Sequence, residues 1–289
     1  MDHVNMQHEK VVSEPLARNR SDAANANTVA QLQATLASAA DTVQEHLQAF
    51  FADPDDIETN HHFRTNIRRL RSLVTFVKPW QRSKQNAETQ TILRDIVRHT
   101  SLLRELDVFE KQVRANPDSS DELIALCAKA ASTERARVLG TLASASVTQT
   151  FKRAMTLAKN VEWKRRYATH GLPQSAVRAR YYGMIESVRA DLDVLDLSDA
   201  ERTHDVRKRA KRARYVAELY ANILGADAMD VAKDMTAHQD GLGDICDARA
   251  NIRLIDEFLK QELPESVRRE LIHLRTQNES FLCDALHTP

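Results

Sequence analysis

Two eleven-residue segments carry the residue types best suited to gripping an anion. The first is His61-His62-Phe63-Arg64-Thr65-Asn66-Ile67-Arg68-Arg69-Leu70-Arg71. The second is His204-Asp205-Val206-Arg207-Lys208-Arg209-Ala210-Lys211-Arg212-Ala213-Arg214. Both read H-x-x-R-x-x-x-[RK]-R-x-R. The planar fork of arginine binds phosphate oxygens bidentately, lysine supplies a point charge, and histidine brings a group that titrates near neutrality. A weaker echo, Leu103-Arg104-Glu105-Leu106-Asp107 against Leu242-Gly243-Asp244-Ile245-Cys246-Asp247, follows each motif by about forty residues.

Helical geometry orders these side chains. At about 100° per residue, Arg64, Arg68 and Arg71 stand within about 80° of His61, and Arg207, Lys211 and Arg214 repeat the arc from His204. Arg69 and Arg212 flank it. Phe63, Ile67, Leu70 and Val74, matched by Val206, Ala210, Ala213 and Ala217, occupy another face and point to a core. A solvated helix normally sets carboxylates three or four residues from its cations. Here Arg64, Arg68, Arg71 and Arg207 lack them, and within the two arcs only Arg214 (with Glu218) and the leading histidines (with Glu58 and Glu201) have an acidic neighbour. Something outside the helices should offset that repulsion. Internal ion pairing with Glu105, Asp107, Asp244 or Asp247 is one candidate; an external polyanion is the other. A stripe of ten steps, roughly 15 Å long, suits a repeating anion better than a single phosphate.

The elements that must position the stripes are all helical. Residues 1–27 read as a polar, mobile tail. Helices are expected near Thr28–Phe51, Ile57–Val77, Ala87–Arg114 and from Asp118-Ser119 past Phe151, with an acidic cap at Asp53-Pro54-Asp55-Asp56. Gly171-Leu172-Pro173 is the clearest break, dividing a first half (about 28–165) from a second (about 173–287). Helices then resume near Ser175–Leu195, Ser198–Leu224, Ala228–Glu262 and Glu265–Leu286.

The 289 residues are 42% hydrophobic and contain only six glycines, so an all-α core is attainable. Lysine and arginine balance aspartate and glutamate at 41 each, so any anion affinity must come from how charge is distributed. Cys127, Cys246 and Cys283 lack metal-ligand spacing and read as reduced cytosolic thiols; no metal site or cofactor is expected. No apolar run reaches the ~20 residues of a membrane span, and no signal peptide is evident. There is no phosphate-cradling GxxxxGK[ST], which argues against an enzyme, and no interleaved aromatics for stacking on bases, which makes nucleic acid a poor fit.

The two basic motifs, Arg104-Glu105-Leu106-Asp107, and Leu242-Gly243 followed by Asp247 together resemble the CHAD domain, the conserved histidine α-helical domain, over about residues 28–286. The resemblance implies two four-helix bundles related by an internal pseudo-two-fold repeat, with a basic groove or pore between them. It also implies non-catalytic binding of inorganic polyphosphate in the cytoplasm, at polyphosphate granules. The implied contacts are His61, Arg64, Arg68, Arg69, Arg71, Arg104, His204, Arg207, Lys208, Lys211, Arg212 and Arg214. An enzyme acting on polyphosphate, or a scaffold for other polyanions or nucleic acid, is the alternative. Two departures fall on the third helix: Glu105 stands where the family often has Asp, and Leu102-Leu103 replaces the Leu-Gly step. Histidine contacts would make binding tighten as pH falls through about 6.5.

Overall fold

Capping and packing place the helices where the site needs them. The computed structural model describes the backbone of residues 8–287 and the side chains of residues 24–287. Among these the fold is all-α, with one isolated bridge between Gln81 and Trp163. In order the helices are α1 (His8–Ala52), α2 (Ile57–Val77), α3 (Ser83–His99), α4 (Ser101–Ala115), α5 (Asp121–Ala143), α6 (Ala145–Lys159), the short α7 (Arg165–His170), α8 (Gln174–Asp193), α9 (Ala200–Leu219), the four-residue α10 (Ala221–Leu224), α11 (Asp227–Leu259) and α12 (Glu265–His287).

The two basic motifs lie on α2 and α9, and both helices start the same way. Asp56 accepts from the backbone N–H of Glu58, and Asp199 from that of Arg202, each at 2.9 Å. A carboxylate there satisfies an orphan donor and opposes the positive end of the helix. The spacing of the elements also repeats. The starts of α2, α3 and α5 at Ile57, Ser83 and Asp121 are set apart almost as are those of α9, α11 and α12 at Ala200, Asp227 and Glu265. The 33 residues of α11 match α3 and α4 together, which are parted only at Thr100.

Three expected continuous helices are broken, at Thr100, Ser144 and Tyr220. Thr100 and Ser144 carry hydroxyls that compete for backbone carbonyls: Thr100 Oγ1 donates to Val97 O, and Ser144 Oγ to Thr141 O. The N-terminal boundary also moves. Helix α1 starts at His8 rather than Thr28, so the segment expected as a tail is helical from residue 8; residues 1–7 lie outside the described residues. Part of the reason is tertiary. Gly171, at φ 71°, turns the chain so tightly that a Cβ there would sit 2.3 Å from the Asn25 backbone, and Leu172 N–H donates to Asn25 O at 3.0 Å. Thr28 is buried.

The apolar faces build two cores, and neither respects the midpoint of the chain. The larger joins α1, α2, α3 and α6 to α8, α9, α10 and the start of α11; Phe63, Ile67 and Leu70 of α2 pack in it with Ala210 and Ala213 of α9. The smaller closes the α4–α5 hairpin (Leu106, Phe109, Val113, Leu123) against the far end of α11 and α12 (Leu254, Phe258, Val267, Leu271). Full burial of one such side chain contributes about 1.5–3 kcal/mol. These cores put α2 beside α9, and set α4 and α11 next to them.

Candidate anion-binding site

Two cavities border α2 and α9. The first, about 420 Å³, is walled by α2, α4, α9 and α11; the second, about 270 Å³, lies mainly between α2 and α9. They share Arg68, His204, Arg207, Lys211 and Tyr215 as lining. Seven arginines or lysines face the first cavity against two carboxylates, Glu105 and Asp247. Six face the second, with no carboxylate among its lining residues.

Most residues of the two motifs meet here. His61, Arg64 and Arg104 reach the first cavity from one side, and Arg214 from the other. Arg71, Lys208 and Arg212 line the second. Arg69 does not join them: its Nη2 lies 3.3 Å from Glu218 Oε2, and its guanidinium stacks on Tyr215. Lys208 is partly engaged as well, 3.2 Å from Asp205. Arg253, Ser101, Gln239 and Asn251 line the first cavity without having been singled out in the sequence. Arg253 carried no motif signal, since only the packing of α11 on α9 and α4 brings it there.

Matched arginines behave differently in the two halves. Arg64 is buried, and its Nη1 donates to Val97 O at 3.0 Å and Thr100 Oγ1 at 2.6 Å. It thereby caps the C-terminal end of α3 with a cation, where the helix dipole favours one. Arg207 instead packs over Gly243, where a Cβ would come within 3.2 Å of its Nη2. Its Nε is buried without a partner, and its nearest carboxylate, Asp247, is 3.9 Å away. The register that pairs His61 with His204 equates Gly243 with Thr100 and Asp247 with Arg104. The Leu103 and Leu242 segments, paired by their sequence pattern, are therefore one helical turn out of register. A slip of four residues keeps the same helix face, which is why the patterns look alike.

The acids expected to neutralise the stripes mostly do other work. Asp107 is buried, accepting from Arg135 Nη2 at 2.8 Å and Asn60 Nδ2 at 3.1 Å; burial raises its pKa against those two partners. Asp244 lines neither cavity. Only Asp247 approaches a motif cation from among them, while Glu218 pairs with both Arg69 and Arg214.

Crowding shows in the titration of the site. Burial, with Arg207 and Arg68 nearby, pushes Lys211 down to about 8, against some relief from Asp247. Burial is also the largest cause lowering Arg68, reinforced by Arg207 and Arg104 and opposed by Tyr215 and Asp247. Arg68 is closely surrounded by protein yet remains exposed, as expected of a side chain projecting into a water-accessible recess. Burial and then Arg104 push His61 down to about 4, and burial with Lys208 and Arg207 lowers His204. Both histidines therefore hold a proton less readily than a free imidazole in the unliganded protein. The tightening expected through about pH 6.5 moves lower, and Lys211 joins the groups of the site whose charge responds to pH.

The comparisons with known proteins agree with this architecture. The chain is similar to the crystal structure of the CHAD domain from the plant Ricinus communis, with a TM-score of 0.72 and 20% identity, covering 90% of this chain and 91% of that one. It is also similar to PptA from Streptomyces chartreusis, with a TM-score of 0.65 and 12% identity over 88% of this chain and 95% of that one. No curated protein matches. No helix among the described residues is long and apolar enough to cross a membrane. The CHAD domain profile matches residues 34–256, most of the chain and all of the cavity-lining helices' motif residues, and the protein belongs to the CHAD domain family.

Proposed function

We propose that this protein binds inorganic polyphosphate without transforming it, along the two cavities between its basic helices. One observation carries the reading: ten arginines and lysines line the two adjoining cavities against two carboxylates. A net-neutral chain that concentrates like charge this way needs a counter-charge, and a linear polyanion supplies one at regular intervals. Such binding would gather the protein at cytoplasmic polyphosphate granules.

Two rivals are less well served. Tyr215 is the one Phe, Trp or Tyr side chain lining either cavity, and the guanidiniums of Arg69 and Arg214 already stack on it. That leaves little for a nucleobase to stack on. Phosphoryl transfer usually needs carboxylates gathered around a metal; Glu105 and Asp247 are the two acids lining the cavities.

The test is titration with polyphosphate of defined length across a range of salt. By analogy with single-stranded nucleic acids, log K should fall by about 0.7 per phosphate neutralised for each tenfold rise in salt. The double change Arg68→Glu and Lys211→Glu should abolish binding with helical content unchanged. A flat salt profile, or chain shortening in the presence of magnesium, would refute non-catalytic polyphosphate binding here.

A further inference from the structure

We infer that Glu218 and Tyr215 are positioning residues: together they tie the two cationic rows to each other and hold Arg214 at the cavity wall. The inference rests on the polyphosphate reading above. Glu218 bridges the halves, with Oε2 at 3.3 Å from Arg69 Nη2 on α2 and Oε1 at 3.4 Å from Arg214 Nε on its own helix. The same two guanidiniums stack on the buried Tyr215, with centroid distances of 5.4 Å for Arg69 and 4.9 Å for Arg214. One carboxylate and one ring thus hold an arginine that faces the cavity and one that does not, drawn from opposite halves of the chain.

The tie is built from one side only. In the register of the two motifs, Ser72 and Thr75 occupy the matching places on α2. Their hydroxyls donate back to their own helix, Ser72 Oγ to Arg68 O and Thr75 Oγ1 to Arg71 O, each at 2.8 Å. Neither bonds to α9. The gap between the rows is therefore set from α9, through Arg69, which explains why a motif arginine points away from the cavities. An arginine already held in place loses less freedom when a phosphate arrives.

Electrostatics and positioning predict opposite signs for one substitution. Glu218→Gln raises the net charge by one, so a mere counter-charge at this position would, when removed, tighten polyphosphate binding. A positioning residue, when removed, should weaken it. Binding of defined-length polyphosphate should be measured against salt for the full chain, Glu218→Gln and the charge-neutral Tyr215→Leu, with helical content followed by circular dichroism. We expect Glu218→Gln to bind about five- to tenfold more weakly, with a salt slope shallower by about 0.7, the loss of one phosphate contact. Tyr215→Leu should weaken binding in the same direction. Equal or tighter binding by a folded Glu218→Gln protein overturns the inference. Should that variant fail to fold, Tyr215→Leu decides: affinity equal to the unaltered protein overturns it, and a shallower salt slope supports it. If the unaltered protein itself does not bind, the polyphosphate reading fails instead.

Discussion

In the first half Arg64 faces Thr100, and the helix ends there; in the second half Arg207 faces Gly243, and the helix runs on. The two arginines hold the same place in the same motif. Arg64 uses Nη1 on Val97 O and Thr100 Oγ1, inside the protein. Arg207 meets a residue with no side chain and keeps its guanidinium beside both cavities. A repeated motif thus fixes where a charge stands, while the residue across from it decides whether the guanidinium bonds within the fold or is left open beside the cavities.

The largest expected effect separates these two roles directly. Arg64→Ala should lower unfolding stability by about 2–4 kcal/mol, because it strips charge-assisted bonds from a buried helix end. Arg207→Ala should change stability by under about 1 kcal/mol and instead weaken polyphosphate binding. Urea unfolding of both variants checks this; equal losses would erase the distinction between the halves.

Next in size is the pH dependence carried by Lys211. Its pKa of about 8 lies below the ordinary lysine value because burial and neighbouring arginines disfavour the ammonium. A bound polyanion favours the ammonium and raises that pKa, so binding takes up a proton and affinity falls as pH rises through 8, by up to about tenfold at pH 9. The unliganded fold shows the opposite trend. The unfolded chain holds the Lys211 proton more tightly, so this group makes stability rise with pH from about 8 towards the ordinary lysine range. Calorimetric titration at pH 7 and 9 for binding, and urea unfolding at the same two pH values for stability, should show the two slopes, and Lys211→Met should lose both.

The smallest effect tests the space over Gly243. Gly243→Ala should raise helix stability by up to about 1 kcal/mol. Its Cβ, 3.2 Å from Arg207 Nη2, should displace the guanidinium and weaken binding a few-fold. A variant that melts higher and binds equally well would show that Arg207 does not need that room.

Local signals made α2 and α9 legible in the sequence. Acidic caps stand at Asp56 and Asp199, Lys78-Pro79 follows α2, and each helix has an apolar stripe. The break at Thr100 was not legible, because no glycine or proline marks it and the arginine that captures the freed Val97 carbonyl lies 33 residues before it. That α1 continues back through Asn25 was hidden for a similar reason, since the contact there comes from Leu172. Arg69 looked like a flanking ligand contact; its partner Glu218 is 149 residues away and belongs to the other motif's helix. Periodicity reports which face a side chain occupies, and only the packing of two helices reports what that face meets.

The membership of α11 in both cores bears on how the chain is made. A nascent chain released as far as Gly171 holds the α4–α5 hairpin with Leu106, Phe109, Val113 and Leu123 lacking their cover, because Leu254, Phe258 and Leu271 have yet to be translated. At about 5–20 residues per second, the hundred or so intervening residues take roughly 5–20 s. During that interval the hairpin is an open hydrophobic surface at the ribosome, as is the face of α2 that awaits Ala210 and Ala213 of α9.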